Sequence, residues 1–188
     1  MSKQLLFDNA QICKAGHVSN IYKTLHPECN CDHCLLCPEE TISECPSCHT
    51  PIRGGYYSVT AWSTTYAGSI IASQRSNIRT HTQELTTLDD YQVPAYCHKC
   101  GAPYPWTSDK LRYGERIVEA LDDLPPEKKA QLKALFPDLI VETPRSQLAV
   151  LELAKVLDAI QCFGKEIFIN WLSQNMAPVL YALLQSLG

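Results

Sequence analysis

Two short motifs, CPSC (Cys45, Cys48) and CHKC (Cys97, Cys100), limit what this chain can fold into more than any other feature of it. A Cys-x-x-Cys turn presents two sulfurs on one side of a tight loop, and two such turns facing each other complete a closed tetrahedral thiolate site of the kind that holds zinc. The 48 residues between the couples are long for a zinc ribbon. A β hairpin returns its ends to one place, however, so the length is compatible with a single site. Nine of the ten cysteines (Cys13, Cys29, Cys31, Cys34, Cys37, Cys45, Cys48, Cys97 and Cys100) precede residue 101, and only Cys162 follows, so the sulfur chemistry belongs to the front half. The opening residues MSKQLLFDNAQIC contain no uninterrupted apolar stretch and no small-residue cleavage site. A reducing, cytoplasmic setting is therefore expected, in which close cysteine pairs are metal ligands or redox centres more often than bridges.

A second site has more candidate ligands than places. Cys13 and His17 with Cys34 and Cys37 would bring two turns together from distant segments, giving three sulfurs and one imidazole. Cys29, Cys31, Cys34 and Cys37, all within nine residues, would close a more cramped loop and leave Cys13 and His17 without a role. His33, His49 and His98 lie inside or beside the turns and read as solvated neighbours, His81 as a surface residue and Cys162 as a core thiol.

Along the chain, residues 1 to 52 read as knuckles joined by short strands, and residues 56 to 93, rich in Thr, Ser, Tyr, Val and Ile with a turn near Ala67 to Ser69, as a β insertion. The composition changes after GAPYPWT. Ser108 can cap a helix to about Asp122, and Pro125 and Pro126 break it before a second helix through Phe136. Thr143 and Pro144 then start a third, with Gly164 as a bend and no strong breaker before Pro178. The expected fold is α+β: a double zinc ribbon with a β insertion over residues 1–107, then an all-α region over 108–188.

Three stretches, QICKAGHVSN, CLLCPEETISECPSCHTPIRG and PAYCHKCGAPYPWT, resemble in their order a bacterial family catalogued only as a domain of unknown function, whose members look like double zinc ribbons with a helical tail. The resemblance implies Cys13, His17, Cys34 and Cys37 for one zinc ion and Cys45, Cys48, Cys97 and Cys100 for the other. It implies no activity, substrate or partner. The chain departs from the usual pattern in its additional Cys29 and Cys31, and in Pro38 where a glycine commonly follows the second turn.

No phosphate-cradling glycine loop, nucleophile elbow or His-Glu-x-x-His helix is present, and closed thiolate-rich sets are structural, so the chain is not expected to be an enzyme. Residues 1 to 107 carry seven Lys and Arg against nine Asp and Glu, and residues 108 to 188 nine against eleven. Thiolate-bound zinc makes the first half more negative still. Phosphate-backbone binding needs clustered cations, so nucleic acid is an unlikely partner despite Arg53, Arg75, Arg79 and Lys99. The expected function is a protein-interaction module. Its partner or second copy would dock on residues 143–188, where one long helix would present Leu153, Leu157, Ile160, Ile167, Trp171, Leu172, Val179, Leu183 and Leu187, more than two short neighbours can cover. Tyr56, Tyr57, Trp62, Tyr66 and Tyr91 in the insertion are further contact candidates. The uncharged stretch 167 to 188 has the length of a membrane span, although Asn170, Ser173 to Asn175 and Pro178 place polar groups in its middle; a membrane-active tail is the alternative.

Overall fold

In a computed structural model of the chain the described residues are 2–64, 77–122, 124–157, 160 and 164–187. The expected turn at Ala67 to Ser69, with Tyr66, Arg75 and Cys162, lies outside them, as do the side chains of Trp62, Arg79 and Leu187. The overall class is α+β, and the chain divides into two compact units, Met1–Tyr104 and Pro105–Gly188.

The first unit holds two small sheets. One has the order β1-β5-β6, from β1 (Ser2–Asn9), β5 (Arg53–Thr64) and β6 (Asn77–Glu84), all antiparallel. The hairpin of β5 and β6 is the expected insertion, in register from Tyr57 opposite Glu84 to Thr64 opposite Asn77. β1 is not foreseen by the sequence reading. Leu5, Leu6 and Phe7 follow one another without the alternation that marks a half-buried strand, and all three keep solvent contact. The long β5 recruits it, pairing Phe7 with Tyr56.

The other sheet, β3-β2-β4, joins β2 (Gln11–Cys13), β3 (Val18–Asn20) and β4 (Thr41–Ile42). Two glycines let β5 press against it. A Cβ on Gly54 would lie 2.2 Å from the Ile21 carbonyl oxygen, and one on Gly55 2.5 Å from the Tyr22 ring. The buried Tyr22 then ties the unit together: its hydroxyl lies 2.7 Å from the Tyr56 carbonyl and 3.0 Å from that of Thr86, and accepts from the Thr86 amide at 3.1 Å. Asp8, also buried, accepts from the amides of Asn9, Thr24 and Leu25. Among the described residues the apolar core here is small: Ala10, Ile12, Ile21, Tyr22, Ile52 and Tyr104, with three of the cysteines.

The described residues of the second unit form five helices, α1 (Pro105–Glu119), α2 (Pro126–Ile140), α3 (Ser146–Leu157), α4 (Gly164–Asn175) and α5 (Pro178–Leu187). Three boundaries correct the sequence reading. α1 begins at Pro105, ahead of Ser108, because proline presets the first helical φ. α2 runs past Pro137, its last turn held by buried Leu139, whose carbonyl accepts from the Ala177 amide at 3.0 Å. The single long helix from Thr143 is instead three. Its apolar residues fold back on one another, and Leu153, Leu157, Ile160, Phe168, Trp171, Leu172 and Leu180 share one core with Leu121, Leu132 and Phe136. Thr143 and Pro144 form a turn ahead of α3, which begins at Ser146; the Thr143 hydroxyl accepts from Arg145 N at 3.2 Å and its carbonyl from Ser146 N at 3.0 Å. Among the described residues, no helix is long and apolar enough to cross a membrane.

Candidate metal centres

The first cluster is built on β2 and the turn after it. Cys13 ends the strand, pairs with Thr41 of β4 and donates its amide to the His17 carbonyl at 2.9 Å, while Gly16, at φ 95°, turns the chain so that His17 faces back. The Cys34 to Cys37 turn is brought alongside through β4 and its flanks: Cys34 N donates to Glu39 O, Thr41 N to Asp32 O, and His33 bridges to Glu40. Cys13 Sγ then lies 3.8 Å from Cys37 Sγ, and His17 Nδ1 lies 3.6, 3.7 and 3.4 Å from the sulfurs of Cys13, Cys34 and Cys37.

The second cluster takes one turn from the end of β4 and the other from the segment that returns after β6. Each turn is closed by the same pair of hydrogen bonds, Cys45 N to Thr50 O and His49 N to Cys45 O in one, Cys97 N to Ala102 O and Gly101 N to Cys97 O in the other. Cys45 Sγ lies 3.7 Å from Cys100 Sγ, and Cys48 Sγ 3.6 Å from Cys97 Sγ. In each cluster all four donor atoms fall within 4.8 Å of one another.

These spacings test what the clusters can hold. A disulfide requires sulfurs about 2 Å apart, which neither has. An ion about 2.3 Å from four tetrahedral sulfurs sets those sulfurs about 3.8 Å apart, and an imidazole nitrogen at about 2.0 Å sits about 3.6 Å from each sulfur. The observed distances match both figures. Without a cation, sulfurs this close cannot all be ionised. The Leu36 amide, then that of Cys37, draw the Cys34 thiol down to about 6. Cys37 is pushed up: the Glu39 amide favours its thiolate, but burial and the sulfurs of Cys34 and Cys13 outweigh it. In the second cluster the Cys100 and Lys99 amides draw Cys97 down to about 6. Cys100 is held at about 12, the Ala102 amide being overridden by Cys48, burial and the other sulfurs. A divalent ion removes this conflict, and each cluster is able to bind one zinc ion.

The eight residues read from the sequence thus come together in two sets of four. Cys29, exposed at the end of a single 3-10 turn (Pro27–Cys29), and half-buried Cys31 stand outside both. Gln11 Oε1 accepts from Cys31 N at 3.0 Å and Thr41 Oγ1 donates to Cys31 O, so the segment is pinned by its backbone rather than its sulfurs. His33, His49, His81 and His98 also belong to neither cluster. The one residue with an architectural part that sequence reasoning missed is His49, whose φ of 55° closes its turn where the partner turn uses Gly101 at 71°.

The model of a family described as an uncharacterized protein conserved in bacteria (DUF2321) matches residues 6–176. No curated protein and no solved structure matches the chain.

Proposed function

The chain belongs to this uncharacterised bacterial family, DUF2321, and from that premise we propose that it is a non-enzymatic interaction module, its first unit braced by two structural zinc ions and its helices offering a surface to a partner or a second copy. The closure of both donor sets carries this reading. Four protein ligands of thiolate and imidazole type leave no position for water or substrate, whereas catalytic zinc keeps three protein ligands and one open place. Binding at such sites supplies folding free energy of about 10 kcal/mol each, which the small core of the first unit calls for.

The helical partner surface is narrower than the sequence suggested, since most of its apolar residues are occupied in the core. Among the described residues from 143 onward, Leu148 and Leu151 on α3, Ile167 on α4 and Val179 on α5 are the large apolar side chains left to solvent. Metal analysis of the purified protein tests the first half of the proposal: two zinc ions per chain are expected, and one or fewer from undamaged protein overturns it. Replacing Leu148 and Leu151 by serine tests the second. Loss of the oligomer or of a co-purifying protein, with zinc content unchanged, supports it, and an unchanged assembly refutes it.

A further inference from the structure

The Cys34 to Cys37 turn carries at its tip the two most solvent-exposed large apolar residues of the described chain, Leu35 at 91% and Leu36 at 77% exposure. The backbone that carries them is held: Leu36 N donates to Cys34 Sγ at 3.3 Å and Cys34 N to Glu39 O, so the tip presents both side chains from a fixed turn that loses little backbone freedom on docking. Around it stand exposed Asp32 and Glu39, while Glu40 is engaged by Lys14 at 2.5 Å. A thiolate-rich metal site beneath adds negative charge. This rim opposes an anionic membrane surface and favours an apolar recess with a cation at its edge.

Such a recess exists on the other sheet of the same unit. A hollow of about 560 Å³ is lined by Phe7, Arg53, Tyr56, Leu85, Tyr91 and Pro94, among other residues. Phe7, Tyr56 and Leu85 are each 40–45% exposed, an unusual cluster for large apolar side chains. The Arg53 guanidinium lies 4.9 Å from the centre of the Phe7 ring and makes no ion pair among the described residues. Asp90 at the margin is engaged by the Thr87 hydroxyl at 2.6 Å, and the Tyr91 hydroxyl donates to the Arg53 carbonyl at 2.6 Å, fixing the wall.

We propose that the Leu35–Leu36 plug of one chain seats in the Phe7–Tyr56–Leu85 hollow of a second copy, with Asp32 or Glu39 pairing Arg53. Plug and hollow are each fixed by their own hydrogen bonds in one unit, so the contact forms between chains. It assembles either isologously, as a reciprocal pair in which each plug fills the other's hollow, or heterologously, by head-to-tail growth. It goes beyond the proposed helical surface, placing self-association on the first unit instead, and rests on Cys34 and Cys37 being held by metal.

The experiment is sedimentation of the full zinc-loaded chain across a wide concentration range, with zinc content measured on every sample. The wild type is expected to gain mass with concentration. The plug variant Leu35→Ser/Leu36→Ser and the hollow variant Arg53→Glu are each expected to weaken association about tenfold or more, and their mixture to form one-to-one heterodimers, because each retains the half that the other lacks. A wild type that stays monomeric, variants that associate as well as it does, or a mixture that does not assemble overturns the proposal. So does an oligomer abolished by Leu148→Ser/Leu151→Ser but not by the plug variant, which leaves the helical surface as the interface, and so does wild-type capture by neutral vesicles without self-association. Arg53→Glu changes no cysteine turn, so it reads the interface even where the plug variant loses its metal.

Discussion

Gly101 and His49 occupy the same place in two turns, the residue after the second cysteine, and both take a left-handed φ. Only glycine does so without strain, which for other residues is about 1–2 kcal/mol. Nothing lies within 4 Å of where a Cβ on Gly101 would be, so Gly101→Ala is expected to cost about 1 kcal/mol from backbone strain alone, and His49→Gly to gain about as much. Denaturant unfolding of the zinc-loaded protein measures both. In the third turn the place is taken by Pro38, which has no N–H to return to Cys34 O, so that turn keeps only its Cys34 N to Glu39 O bond. Among the thiols, Cys45→Ser and Cys97→Ser are expected to lose one zinc ion per chain and most of the first unit's stability. Cys29→Ser and Cys31→Ser are expected to keep both, and metal analysis of the four variants separates the groups. At this scale the sequence was most informative. Thiol spacing names the Cys45–Cys48 and Cys97–Cys100 turns without any fold but leaves the partners of Cys34 and Cys37 open, and the left-handed His49 leaves no trace, because φ is set by the closed turn and not by histidine's own preference.

Among the elements, α1 and α4 approach where Gly114 faces Trp171. A Cβ there would lie 2.4 Å from the indole, at an aromatic group already packed on Phe136 at 4.9 Å and Phe168 at 6.0 Å. Helix propensity alone would favour Gly114→Ala by about 1 kcal/mol, but overpacking costs about 1–3 kcal/mol. The clash is with a buried ring that has no room to move, so net destabilisation is expected, read by urea unfolding followed by circular dichroism. Between the two sheets of the first unit, His26 bridges Glu28 at 3.0 Å and Glu84 at 2.5 Å. The Glu84 bond first, then that to Glu28, raises its pKa. A raised histidine stabilises the fold fully below its ordinary value of about 6.5 and loses that contribution as pH climbs through the raised one. Amides near Glu84 should accordingly open more readily above neutral pH, once hydrogen exchange is corrected for its intrinsic pH dependence, and His26→Gln should flatten the difference. The helices were legible in kind but not in number. Gly164 and Pro178, the bend and the breaker that the sequence offers, do begin α4 and α5; that the chain folds back at both, burying Leu153, Trp171 and Leu180 in one core, is a tertiary fact that no local residue signals. β1 stayed hidden for a related reason: its pairing with β5 reaches across about fifty residues.

For the whole molecule, the two units draw on different sources of stability. Among the described residues, eighteen buried ones form one continuous core in the helical unit, whereas the first unit buries six apolar residues besides Cys13, Cys45 and Cys97. A strong chelator is expected to unfold the first unit while most of the helical signal persists and melts on heating in a transition of its own; full loss of helix on chelation would contradict this. The order of the ligands has a further consequence during biosynthesis. All four donors of the first cluster lie between Cys13 and Cys37, but the second needs Cys97 and Cys100. At about 5–20 residues per second a ribosome completes the second set some seconds after the first. If each cluster takes one ion, as proposed, the nascent chain can fill the first before the second, and over that interval Cys45 and Cys48 lack the partner pair of their own cluster, a window in which a cell short of zinc would leave them open to oxidation.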